Sequence, residues 1–120
     1  MNNPPETWQW FGNAGHLCVA SDCLFHLTTK VGDYLISTVG DWRPYYCGVR
    51  VEEPEEVGHD RLYETMVFKA GKLCDCGCGL PMISGSELLC IPSNTAGEAN
   101  RAHLETCRKI ANGYNLTENE

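Results

Sequence analysis

The sequence predicts an α+β fold, a small antiparallel β-sheet with a C-terminal helix, stapled by a Cys/His zinc site. Three features predict it: a two-strand pattern in "FHLTTKVGDYLISTVG", a run of helix formers in "GEANRAHLETCRKIANG", and eight cysteines, three of them crowded into "CDCGC". At 120 residues the chain has the length of one domain with one core, and its 42% apolar content suits a globular protein. Residues 1–113 are assigned to that domain and residues 114–120 to a frayed acidic tail.

The first 15 residues, with Asn, Pro and Gly around "WQWF", read as an irregular arm whose aromatic side chains fold back on the core. "HLCVA" is a short β-prone run and "SDC" a turn. "LFHLTTK" then alternates Leu24, His26, Thr28 and Lys30 against Phe25, Leu27 and Thr29, which is strand periodicity with a wetter face carrying His26. "VGD" supplies the glycine a tight turn needs, and the β-branched and aromatic "YLISTV" forms the partner strand up to Gly40. Pro44 and Pro54 interrupt the next stretch, which reads as a connecting loop with a short strand at "CGVRV". "RLYETMVFKAGK" is a further strand, with Leu62, Glu64, Met66 and Phe68 on one side and Tyr63, Thr65 and Val67 on the other. "PMISGSELLCIPSNTAG" reads as a loop. The helix follows, capped by Asn94 or Thr95, with Arg108 and Lys109 near its C-terminal end and Gly113 as its stop.

The cysteine cluster carries the most specific chemistry. Thiolates bind zinc at about 2.3 Å, and a Cys-x-Cys step in a tight turn aims two sulfurs at one point when glycine lets the backbone turn back. Gly77 and Gly79 give that freedom. The helix offers His103 and Cys107 four residues apart, with Cβ atoms about 6 Å from each other on one face. Cys76, Cys78, His103 and Cys107 then make a Cys3His tetrahedron, with Cys74 able to replace either loop cysteine. A closed tetrahedron of this kind clamps a loop to a helix and does not activate water. The competing readings are free reduced thiols and a redox pair, although the usual Cys-x-x-Cys spacing of a redox pair is missing.

In "HLCVASDCLFH", His16, Cys18, Cys23 and His26 suggest a second metal site. In an unbroken strand, however, Cys23 and His26 point to opposite faces, and packing of Cys18 and Cys23 in the core is the simpler reading. A catalytic alternative pairs His26 with Glu64, whose apolar neighbours raise its pKa, and adds His16 to an acid–base group.

Sixteen acidic against nine basic side chains give a net charge of −7, and "VEEPEEVGHDRLYE" concentrates it. Such a segment cannot bind duplex nucleic acid through counterion release. It reads as solvated surface, or as a mimic of DNA phosphates that captures a basic protein. No apolar run is long enough for a membrane span. With no Lys or Arg before Lys30 and no apolar leader, the expected setting is the cytoplasm, with reduced thiols.

Taken together, "FHLTTKVGDYLISTVGDW", "YETMVFKAG", "CGCGLP" and "HLETC" resemble small uncharacterised proteins encoded by tailed bacteriophages and prophages, from about Trp8 to Ala111. The resemblance implies action in the bacterial cytoplasm during infection and brings no known activity. The expectation is a non-enzymatic zinc-binding accessory protein that binds a host or phage protein. The alternative is a small enzyme using the His/Glu pair.

Overall fold

Local sequence preferences build an antiparallel sheet around one central strand. The computed structural model describes residues 8–10, 23–58, 60–73 and 81–113. Strand β1 (Trp8–Trp10) pairs with β2 (Cys23–Val31), so part of the expected irregular arm is an edge strand in register with Thr29–Val31. Strand β2 turns through Gly32, whose φ of 58° suits glycine, into β3 (Tyr34–Trp42). The two-residue connection fixes the register, from Val31 opposite Tyr34 to Cys23 opposite Trp42.

After β3 the chain leaves the sheet. A small two-stranded excursion, β4 (Tyr45–Tyr46) and β5 (Val49–Arg50), precedes a segment that returns to β6 (Tyr63–Leu73). Strand β6 lies beside β3, and β7 (Pro81–Ser93) completes the order β1-β2-β3-β6-β7. The stretch expected as a loop after the cysteines is thus a 13-residue strand. Its prolines fit because β7 ends the sheet, where a missing ladder N–H is tolerated. Register shifts between β6 and β7 and a φ of 85° at Gly85 mark an irregular, bulged edge.

Helix α1 (Ala96–Ala111) starts as expected, with Thr95 Oγ1 accepting from the Glu98 N–H at 3.1 Å. Asn94 serves another end: its side chain accepts from the Leu62 N–H at 3.0 Å. Arg108 and Lys109 lie in the last turn, and Gly113, with φ of 93°, bonds back to the Ile110 carbonyl. The helix lays Ala99, His103, Thr106, Cys107 and Ile110 on the sheet. Val31, Ile36 and Val67 meet Cys107 and Ile110 in the main core.

Six consecutive residues of β3, from Leu35 to Gly40, are buried, so both faces of this strand are covered. A second cluster gathers Cys23 and Val39 with Trp42 and Val57. The strand that carries His26 therefore has no uniformly wet face: Leu24 is exposed while Thr28 is fully buried. Gly40 serves a specific purpose. A Cβ there would fall 1.9 Å from the Tyr63 ring, which reaches over β3 to meet Phe25 edge-on at a centroid distance of 5.3 Å. No helix among the described residues is long and apolar enough to cross a membrane.

Candidate functional site

The expected catalytic pair is on one sheet face but on the wrong strands for contact. Val39 pairs with His26 on one side and Glu64 on the other, so β3 runs between them. Two strand spacings separate the two backbones by about 10 Å. This corrects the expectation of a His/Glu pair across adjacent strands. His26 Nε2 bonds the Thr28 hydroxyl at 2.9 Å, and burial lowers its pKa.

Glu64 has its own surroundings. Burial raises its pKa, the Arg61 guanidinium at 3.7 Å opposes that rise, and Glu87 adds to it. Arg61 Nη1 also donates to Cys90 Sγ at 3.3 Å. Gly58 packs so closely that a Cβ there would lie 2.7 Å from Glu64 Oε2. The Cys90 thiol is pushed up in pKa, first by burial and then by Glu64, which makes it a weaker nucleophile at neutral pH. Glu64 thus belongs to a packed Arg–Glu–thiol contact. His16 lies outside the described residues.

The helix pair is brought together as its spacing demands, and it faces the sheet. His103 is fully buried; its Nε2 bonds Thr29 Oγ1 and its Nδ1 bonds Thr38 Oγ1, each at 2.8 Å. Thr38 Oγ1 continues to Thr65 Oγ1 at 2.8 Å. Three β-branched residues on neighbouring strands thereby satisfy one imidazole inside an otherwise apolar interface. Burial, assisted by repulsion from His26, lowers the His103 pKa to about 4, so the ring is neutral near pH 7. Cys107 beside it is fully buried, and burial pushes its thiol up to about 11 against a hydrogen bond from Thr29.

These positions change the reading of the zinc tetrahedron. Both His103 ring nitrogens already have hydroxyl partners, so the imidazole serves the helix–sheet interface. Thr65, in the same network, is eight residues from Leu73, the last described residue before the cysteines; that is about 26 Å at extended rise. The helix pair and the exit toward the cysteines therefore lie at different levels of the sheet. Cys74, Cys76 and Cys78 are outside the described residues, as is Cys18 of the second grouping. Cys23 is buried in a core cluster. Among the described residues no group of three or more His, Cys, Asp or Glu side chains is placed to hold a metal ion.

The stretch expected as a connecting loop carries three exposed large side chains. On β4 and β5, Tyr45 is 56% exposed, Tyr46 55% and Val49 69%. Cys47 and Gly48 make the turn between them with φ of 53° and 80°. The excursion is tied down at several points. Val51 N–H donates to the Pro44 carbonyl at 3.1 Å, Glu55 N–H to the Trp42 carbonyl at 2.8 Å, and Arg50 Nε to the Arg43 carbonyl at 3.1 Å. Tyr46 donates its hydroxyl to Glu55 Oε1 at 2.8 Å, and that bond leads the causes that raise its pKa. The available signal was "YYCGV", a turn dipeptide with β-prone residues on both sides; Pro44 and Pro54 obscured it.

No protein-family model matches the chain, and neither a curated protein nor a solved structure matches it significantly, so its chemistry is read from its own geometry.

Proposed function

We propose that this chain is a non-enzymatic accessory protein that acts by binding another protein through residues 42–56. The observation that supports this reading is the exposure of Tyr45, Tyr46 and Val49 on a hydrogen-bonded frame. Exposed aromatic side chains are common interface anchors, since each buries a large area at low cost in side-chain entropy. The groups with catalytic chemistry offer less. His26 and Glu64 are held apart by β3, and His103 is enclosed.

A bacteriophage origin, a host or phage protein as partner, and action in the bacterial cytoplasm belong to the same proposal and rest on the resemblance of the quoted segments. Zinc belongs to it as well. The spacing of Cys74, Cys76 and Cys78 with two intervening glycines supports a thiolate site, and the helix pair is left to the core.

The test is a variant with Tyr45→Ser, Tyr46→Ser and Val49→Ser. Isolated from the bacterial cells in which it acts, the tagged variant should lose the partner that accompanies the wild-type chain, while its melting temperature stays the same. Retention of that partner refutes the reading.

A further inference from the structure

We propose that residues 42–56 dock a basic segment of a partner protein, one that alternates Lys or Arg with apolar side chains; this deepens, and rests on, the protein-binding reading above. Three features of the surface point to that chemistry. The first is a shallow open groove of about 740 Å³ beside β4 and β5, lined by Val51, Glu52, Glu53, Pro54 and Glu55. Three of its five lining residues are glutamates, and Val51 and Pro54 add some apolar surface for the alkyl stem of a long cationic side chain.

The second is where the local positive charge goes. Arg43 pairs with Asp41 at 2.6 Å and donates from Nη1 to the Glu52 carbonyl at 2.5 Å. Arg50 donates to the Arg43 carbonyl at 3.1 Å, and its guanidinium lies 5.5 Å from the centre of the Tyr45 ring. Both guanidiniums thus brace the excursion, whereas Glu52, Glu53 and Glu56 are exposed. The outward field is negative. A neutral or acidic partner would desolvate those carboxylates without pairing them, while a basic one satisfies them and is drawn in by the same charge.

The third is the juxtaposition of this groove with Tyr45, Tyr46 and Val49. Tyr46 is the link, since its hydroxyl is held by Glu55, one of the groove carboxylates. Apolar side chains of the segment would cover the hairpin as its cations enter the groove. The hydrogen bonds that fix the frame lower the ordering cost of binding.

The test uses the full chain, isotope-labelled for NMR, titrated with a short synthetic peptide alternating arginine and leucine, beside a counterpart alternating glutamate and leucine. The arginine peptide should shift amide signals within residues 42–56, and added salt should weaken it. Glu52→Gln with Glu53→Gln should raise its Kd about tenfold, as should Tyr45→Ser with Val49→Ser, with native spectra elsewhere in both variants. No shifts in residues 42–56, equal binding of the glutamate peptide, or undiminished binding by both variants overturns the proposal. Loss of the cellular partner in the triple serine variant, together with silence toward the arginine peptide, would keep the protein-binding surface and refute its basic specificity.

Discussion

His103 makes the stability of this fold depend on pH in a calculable way. Its pKa falls from the ordinary 6.5 to about 4 because the ring is buried between α1 and the sheet. Above pH 6.5 the ring is neutral in both folded and unfolded chains, so its contribution is fully present. As the pH falls below 6.5 the unfolded chain takes up a proton that the folded one refuses, and stability declines until about pH 4. At about 1.4 kcal/mol for each pH unit, the full loss is about 3.5 kcal/mol, a large share of the stability of a domain this size. His103→Gln is the informative comparison, since its amide keeps a donor and an acceptor for Thr29 and Thr38 but does not titrate. Urea unfolding at several pH values from about 7 to 4 should show the wild type losing about 3.5 kcal/mol more than the variant. Glu64 titrates in both proteins and cancels in the difference, while the repulsion between His26 and His103 is part of the effect the comparison reads. Parallel curves for the two proteins would refute the account of the helix–sheet interface.

Other consequences are equally specific. Gly40→Ala places a methyl group against the Tyr63 ring and should cost roughly 3 kcal/mol in thermal or urea unfolding, with Tyr63→Ala recovering part of the loss in the double variant. A thiol reagent should label exposed Cys47 rapidly in the native protein and reach Cys107 only on unfolding; equal rates would contradict the burial of Cys107. Purified protein should hold about one zinc ion per chain, lost in Cys76→Ser with Cys78→Ser and kept in His103→Gln. Loss of zinc in His103→Gln would restore the shared loop-and-helix site.

Much of this fold was legible because its signals are local. The alternation of residues 24–31, the turn glycine at position 32 and the β-branched run that follows sufficed for the β2–β3 hairpin, and the caps at Thr95 and Gly113 bounded the helix. Strand β7 was missed because Pro81, Gly85 and Pro92 signal a loop unless the strand is known to lie at a sheet edge, which is a property of the assembled sheet. Strand β1 was missed because three residues are too few to show a period. Alternation placed His26 and Glu64 each on one side of its own strand, but neither their shared sheet face nor the strand between them could be read from it. Order in a sheet depends on long-range pairing. The threonines around His103 come from three strands and share no sequence window, so its neutral, buried state could not be read from the helix alone.

The central claim is that residues 42–56 form the working surface, and a photo-crosslinking side chain at Val49 tests it most directly. The same group placed at Glu105, exposed on the outer side of α1, is the control. Irradiation in bacterial cells that express the protein should join one discrete partner to the chain from position 49 and none from position 105. Crosslinking from position 105 alone, or from neither position while the protein remains functional, would contradict the account.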